Sequence, residues 1–149
     1  MQRVRAASVE VGGERAGSID RGLVVLLGVG ATDTAIDGER LAAKIASLRI
    51  FDDGCGKLQH TVADASGSVL VIPQFTLYGD VRRGRRPDFT AAAPPDVGRR
   101  LYDAFCGVLR GSGLTVATGV FGAVMRVQID ADGPVTIVAS TDRWIESEL

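Results

Sequence analysis

The chain is expected to adopt an α+β fold: a curled, barrel-like, mostly antiparallel or mixed sheet with two main helices. Three observations predict this. Short apolar or alternating runs, punctuated by Gly, Asp and Pro, read as about eight strands. Only two stretches carry helical spacing. Strands and helices are not regularly interleaved, and neither GxGxxG nor a P-loop occurs, which disfavours a Rossmann layout.

Residues 2–11, QRVRAASVEV, alternate as a strand, and VGGER supplies a hairpin turn. Residues 22–30, GLVVLLGVG, form a continuous apolar run bounded by glycines, the pattern of a strand buried on both faces. In residues 31–50, Asp33 or Thr34 caps a helix with Leu41, Ile45 and Leu48 at helical spacing. Residues 49–52 then read as extended, DDGCGK as a turn, residues 57–62 as a short strand and ADASG as another turn. Residues 69–75 form a further core strand, followed by a long polar and alanine-rich loop over 79–93. The second helix starts at Pro95 and Asp96, places Val97, Leu101, Phe105, Val108 and Leu109 on one face, and ends at GSG. Residues 114–118, 123–130 and 135–140 complete the strands.

A length of 149 residues suits one domain, spanning residues 1–149. The longest apolar run, residues 23–27, is too short to span a bilayer. The opening MQRVRAASVE has no apolar core of a secretory signal, so a cytoplasmic protein is expected, with no membrane partner. Cys55 and Cys106 lack metal-ligand spacing, and Cys106 within YDAFCGVL reads as a small buried hydrophobe. His60 is the sole histidine, and no Ser or Cys motif points to it as a catalytic base. No metal and no cofactor are expected.

The net charge of −1 gives no global basic field, and DNA is not an expected partner. Positive charge is nevertheless concentrated in RRGRRP, as Arg82, Arg83, Arg85 and Arg86. Such a run is either a solvated loop or a phosphate-binding patch, and both readings stand at this level.

Two stretches are unusual. In LVIPQFTLYGD, residues 70–80, a core strand breaks at Pro73 and then presents Gln74, Phe75 and Thr76. Proline belongs at a strand end, edge or bulge, so this is either a plain exit or a strand delivering groups to a substrate. In DADGPVT, residues 130–136, Asp132-Gly133-Pro134 reads by itself as a turn opening the last strand.

Taken together, the two stretches resemble the D-aminoacyl-tRNA deacylases, whose signature motifs are SQxTL and NxGPxT. The resemblance runs nearly end to end: QRV at 2–4, ASV at 7–9, GLVVLLGV at 22–29, LRIF at 48–51, QFTLYGD at 74–80, GRRPDF at 84–89, AAPP at 92–95, ATGVFGAVM at 117–125 and DGPVT at 132–136. It implies hydrolysis of the ester of a tRNA carrying a D-amino acid or glycine. It also implies a homodimer, with each active site at the subunit interface. Gln74, Phe75 and Thr76 would come from one subunit, and a cis Gly133-Pro134 from the other. Arg3 matches a family arginine that helps hold the Gly-Pro loop, and Met125 and Thr136 fall in pocket-supporting positions. Pro73 stands where the family usually has serine, and Ala131 where it has asparagine. A related group carries Pro-Gln at the first motif and tolerates L-alanine through a trans Gly-Pro. The retained Arg3 and Phe75 point instead to cis.

The residue types suit the chemistry. A side-chain-independent chiral filter must block the place where an L side chain would sit, and fixed backbone carbonyls block better than flexible side chains. Gly133 permits close approach and Pro134 fixes φ. Phe75 and Met125 are candidates for an apolar shelf under the terminal adenosine, and N–H groups over 74–76 for an oxyanion hole. Thr76 needs a base to serve as nucleophile, whereas the substrate's 2′-hydroxyl can assist a water directly; the second route is favoured. A relaxed deacylase acting on an L-alanyl mischarge and a non-catalytic tRNA-binding module of the same fold are the alternatives.

Overall fold

The computed structural model describes residues 1–143, and Trp144 of the tail DRWIESEL, expected to cover an apolar surface, lies outside them. The main sheet orders its strands β2 (Glu14–Ile19), β1 (Gln2–Val11), β3 (Gly22–Leu27), β6 (Ser68–Pro73) and β7 (Val116–Thr118), with β8 (Arg126–Thr136) on the other edge of β1. A separate ribbon pairs β4 (Phe51–Asp52) with β5 (Leu58–His60). Pairings β1–β2, β1–β3 and β1–β8 are antiparallel, while β3–β6 and β6–β7 are parallel. The expected mixed sheet curled toward a barrel is borne out. Closure is nearly reached where β2 meets β7: a Cβ on Gly17 would lie 2.7 Å from the Thr118 carbonyl oxygen.

The continuous apolar runs follow from burial on both faces of the sheet. Leu23, Val25 and Leu27 of β3 and Val69 and Val71 of β6 pack toward the helices, against Ala42, Ile45, Phe105 and Leu109. The alternate residues Val24, Leu70 and Ile72 fill the barrel interior with Val4, Val9 and Ile19. Burying each such large side chain stabilises by about 1.5–3 kcal/mol. Tyr102 stays in the helix-side core because its hydroxyl donates to the Val71 carbonyl at 2.8 Å.

Helix α1 spans Ala35–Ser47, with Thr34 as N-cap and Asp37 accepting from both the Thr34 N–H (2.8 Å) and its hydroxyl (2.7 Å). Helix α2 spans Pro95–Gly111, with proline at its first turn and Leu101, Phe105 and Leu109 buried as expected. Cys106 is also buried, and burial pushes its thiol up. No helix among the described residues is long and apolar enough to cross a membrane.

One expectation fails. Residues 123–130 and 135–140 are not two strands joined by a turn; β8 runs unbroken through DGP. Val4 pairs with Ala131 and Gln2 with Thr136, so Arg3 alone faces Asp132, Gly133, Pro134 and Val135. The physical reason is the length of β1, which supplies partners on both sides of the interruption. The apparent turn is therefore a four-residue bulge that projects from the ladder.

Candidate active site

The first motif leaves the sheet at Pro73, which pairs with Leu27 at the end of the β3–β6 ladder. The Gln74 N–H is consumed by the Leu27 carbonyl at 2.8 Å. A 3-10 turn, Phe75–Tyr78, follows. Leu77 N–H donates to the Gln74 carbonyl at 3.3 Å, and Gly79 N–H to the Thr76 carbonyl at 3.0 Å. Among the described residues, the N–H groups of Phe75 and Thr76 find no protein acceptor, and both residues are exposed. The oxyanion donors predicted over 74–76 thus narrow to these two. The Gln74 side-chain amide donates to the Thr76 hydroxyl oxygen, and among the described residues no histidine, lysine or carboxylate is hydrogen-bonded to that hydroxyl. His60, the sole histidine, is exposed on β5.

The turn can fold back over the end of β3 because the neighbouring chain is nearly bare. A Cβ on Gly28 would lie 3.3 Å from the Gln74 carbonyl oxygen, and one on Gly30 would lie 2.7 Å from the Tyr78 hydroxyl. Burial, reinforced by the nearby Asp33 carboxylate, pushes the Tyr78 phenol up to about 12. Asp33 is itself held by the Gly30 N–H at 2.7 Å.

Met125 arrives from the strand side. A Cβ on Gly119 would meet the Met125 sulfur at 2.8 Å and the Pro73 Cδ at 3.3 Å, so Met125 and the strand exit share one close-packed spot. Phe75 is 59% exposed, and its ring rests edge-to-face on Phe89, with centroids 5.2 Å apart and planes at 73°. Phe89, fourteen residues along the chain, thus lies against the ring expected to form an apolar shelf with Met125, a contact that no periodicity in the sequence marks.

The second motif occupies the β8 bulge. The Gly133-Pro134 peptide is cis, and Gly133 has φ +122°, in the region that favours glycine. Arg3 reaches across from β1: its Nε donates to the Asp132 carbonyl at 3.2 Å and its Nη1 to the Ile50 carbonyl at 2.9 Å. Its Nε also lies 3.4 Å from the Asp132 carboxylate, and the Arg3 side chain is only 11% exposed. Thr136 closes the bulge by accepting a hydrogen bond from the Gln2 amide at 3.1 Å. Within one chain the motifs stay apart. Arg3 is level with Leu23 while Pro73 is level with Leu27, and β1 and β3 lie between β8 and β6. At a rise of about 3.3 Å and a strand spacing of about 4.8 Å, the separation is roughly 15–20 Å.

The arginine run lies on an exposed loop closed by reciprocal backbone bonds between Asp80 and Asp88, at 2.8 and 2.9 Å. Arg82 is not free: its Nη2 lies 2.6 Å and its Nε 2.9 Å from the Asp80 carboxylate. These hydrogen bonds hold the Asp80 carboxyl down at about 2. No ion pair engages Arg83, Arg85 or Arg86 among the described residues. A cavity of about 490 Å³ opens behind the 3-10 turn, and Thr136 is the one predicted site residue on its wall.

Comparison with known proteins agrees with this fold. The D-Tyr-tRNA(Tyr) deacylase family matches residues 1–140. A D-aminoacyl-tRNA deacylase of Chloroflexus aurantiacus is 57% identical over 138 residues, covering 93% of this chain and 86% of its own. One from Thermus aquaticus is 54% identical, covering 93% and 91%. Among solved structures, a c-Myc DNA Unwinding Element Binding Protein superposes with a TM-score of 0.85 at 43% identity, covering 91% of this chain and 93% of its own. A probable eukaryotic D-amino acid tRNA deacylase shares the fold at a TM-score of 0.78 and 20% identity, covering 89% and 92%. Fold and relatives together define a class of hydrolases, the aminoacyl-tRNA deacylases. Within that class, the chain belongs to the D-Tyr-tRNA(Tyr) deacylase family.

Proposed function

We propose that this protein hydrolyses the ester joining a D-amino acid, or glycine, to the 3′ adenosine of tRNA. The observation that carries the reading is the strand exit at Pro73. It offers two N–H donors, on Phe75 and Thr76, that are unpaired among the described residues and lie beside an aromatic wall. In the proposed reaction the adenosine rests on Phe75 and Met125, which brings the ester carbonyl to these donors. Water adds to the carbonyl carbon, its proton passing by way of the substrate's 2′-hydroxyl. The two N–H groups take up the charge growing on the carbonyl oxygen. The C–O bond to the ribose then breaks, and the 3′ oxygen leaves as a hydroxyl. Thr76 orients Gln74 and is not the attacking group, since among the described residues no base is hydrogen-bonded to its hydroxyl.

Chirality is assigned to Gly133 and Pro134 of a second protomer, whose carbonyls would occupy the space an L side chain needs. The reading is supported by the separation of the motifs within one chain and by the exposed bulge that carries the second. Nearly fully exposed Val124 and Val138 add apolar surface suited to a homodimer contact. Arg83, Arg85 and Arg86 would hold tRNA phosphates. The test is release of amino acid from D-Tyr-tRNA, L-Tyr-tRNA and Gly-tRNA. The D- and glycyl substrates should be cleaved and the L-substrate spared. Binding of all three without release would leave a tRNA-binding module, and cleavage of the L-substrate would leave a relaxed deacylase.

A further inference from the structure

We infer that Phe89 is a positioning residue for this reaction, setting the ring of Phe75 where the terminal adenosine lands. The inference rests on the shelf reading above and deepens it. A phenyl ring on a short 3-10 turn, 59% exposed, has little around it to fix its rotamer. Its one aromatic neighbour among the described residues is Phe89, whose edge-to-face contact at 5.2 Å is of the favourable kind. Phe89 is in turn fixed from two sides. Gly79 lets the ring lie against the turn, since a Cβ there would sit 3.0 Å from Phe89 Cε1. Directly before Phe89 in the chain, Asp88 is locked to Asp80 by two backbone hydrogen bonds, and its carboxylate accepts from the Thr90 N–H at 2.7 Å. A backbone held on either side of Phe89 and a ring seated against Gly79 leave Phe89 less free than the ring it supports. It is only 37% exposed, against 59% for Phe75.

A positioning role differs from a merely structural one in its coupling to Phe75. The experiment is a double-mutant cycle of Phe75→Ala and Phe89→Leu, with melting temperature measured for every variant. Each is assayed on D-Tyr-tRNA and on D-tyrosyl-adenosine, a substrate without the tRNA body. Phe89→Leu should lower kcat/KM by roughly three- to tenfold on both substrates. Phe89→Tyr, which keeps the ring, should restore the rate. In the Phe75→Ala background Phe89→Leu should cost nothing further. Phe89→Met serves the same cycle if the leucine variant melts early. Additive losses in the cycle would overturn the inference while leaving the shelf intact. A loss confined to full-length tRNA would also overturn it, placing Phe89 in the arginine loop's grip on tRNA. A silent Phe75→Ala would remove the shelf reading itself, and the inference with it.

Discussion

Arg3 and Asp132 are tied across the β1–β8 ladder at the point where four residues of β8 face one of β1: the Arg3 Nε lies 3.2 Å from the Asp132 carbonyl oxygen and 3.4 Å from its carboxylate. The same guanidinium holds the Ile50 carbonyl at 2.9 Å, so the bulge is anchored to the chain segment entering β4. This geometry makes Arg3 the support of the proposed chiral filter.

Arg3→Met should therefore free the bulge at its base. Activity on D-Tyr-tRNA should fall by about 10²-fold through misplacement of groups at the site. Loss of charged hydrogen bonds should cost about 1.5–3 kcal/mol in denaturant unfolding. Unchanged turnover and unchanged D-over-L preference would show that Gly133 and Pro134 need no such support.

Arginines in the RRGRRP loop should not behave alike. Replacing Arg83 and Arg85 with Ala should flatten the salt dependence of tRNA binding by roughly 0.7–0.9 per lost phosphate contact. Arg82→Ala should change the slope far less, because its fork is already filled by Asp80. Binding titrations over a salt series separate the two, and equal effects would contradict the pairing seen here.

Thr76→Ala should keep much of the wild-type rate, since the proposed attack runs through water and the 2′-hydroxyl. A tRNA ending in 2′-deoxyadenosine should lose about 10²-fold or more. A dead Thr76→Ala together with an active deoxy substrate would return the threonine to the role of nucleophile.

Alkaline pH offers a test of the packing behind the turn. The Tyr78 phenol titrates near 12 in the folded chain, raised first by burial and then by Asp33, against an ordinary value of 10. The folded state thus holds this proton more tightly than the unfolded chain does. The resulting stability is fully present below pH 10 and is lost as pH rises through about 12. Tyr102 shifts in the same direction through burial, so the informative measurement is a difference. Tyr78→Phe should show a shallower loss of stability between pH 10 and 12 than the wild type.

Much of this architecture was legible in the sequence, for reasons that also explain what was not. Residues 22–27 and 68–73 announced themselves because burial on both faces demands uninterrupted apolar side chains. Helix α2 was equally plain from its proline start and the spacing of Leu101, Phe105 and Leu109. The strand through Asp132-Gly133-Pro134 was misread because Gly and Pro punctuate turns and bulges alike, and only the partner strand distinguishes them. Gln74, Phe75 and Thr76 were visible as an odd exit, but the Leu27 carbonyl that removes one of their N–H groups was not. Phe89 and Asp80 fell within matched stretches, but their contacts lie in a polar loop, where no periodicity marks them.

The bulge in β8 also separates two demands that a strand normally imposes on the same residues. Ladder pairs at Val4–Ala131 and Gln2–Thr136 bracket it, so registration of the barrel is settled outside the insert. Residues 132–135 are therefore free of the pairing that fixes which face each other side chain of β8 takes. The selectivity proposed for Gly133 and Pro134 would then be open to change without rebuilding the barrel that carries it.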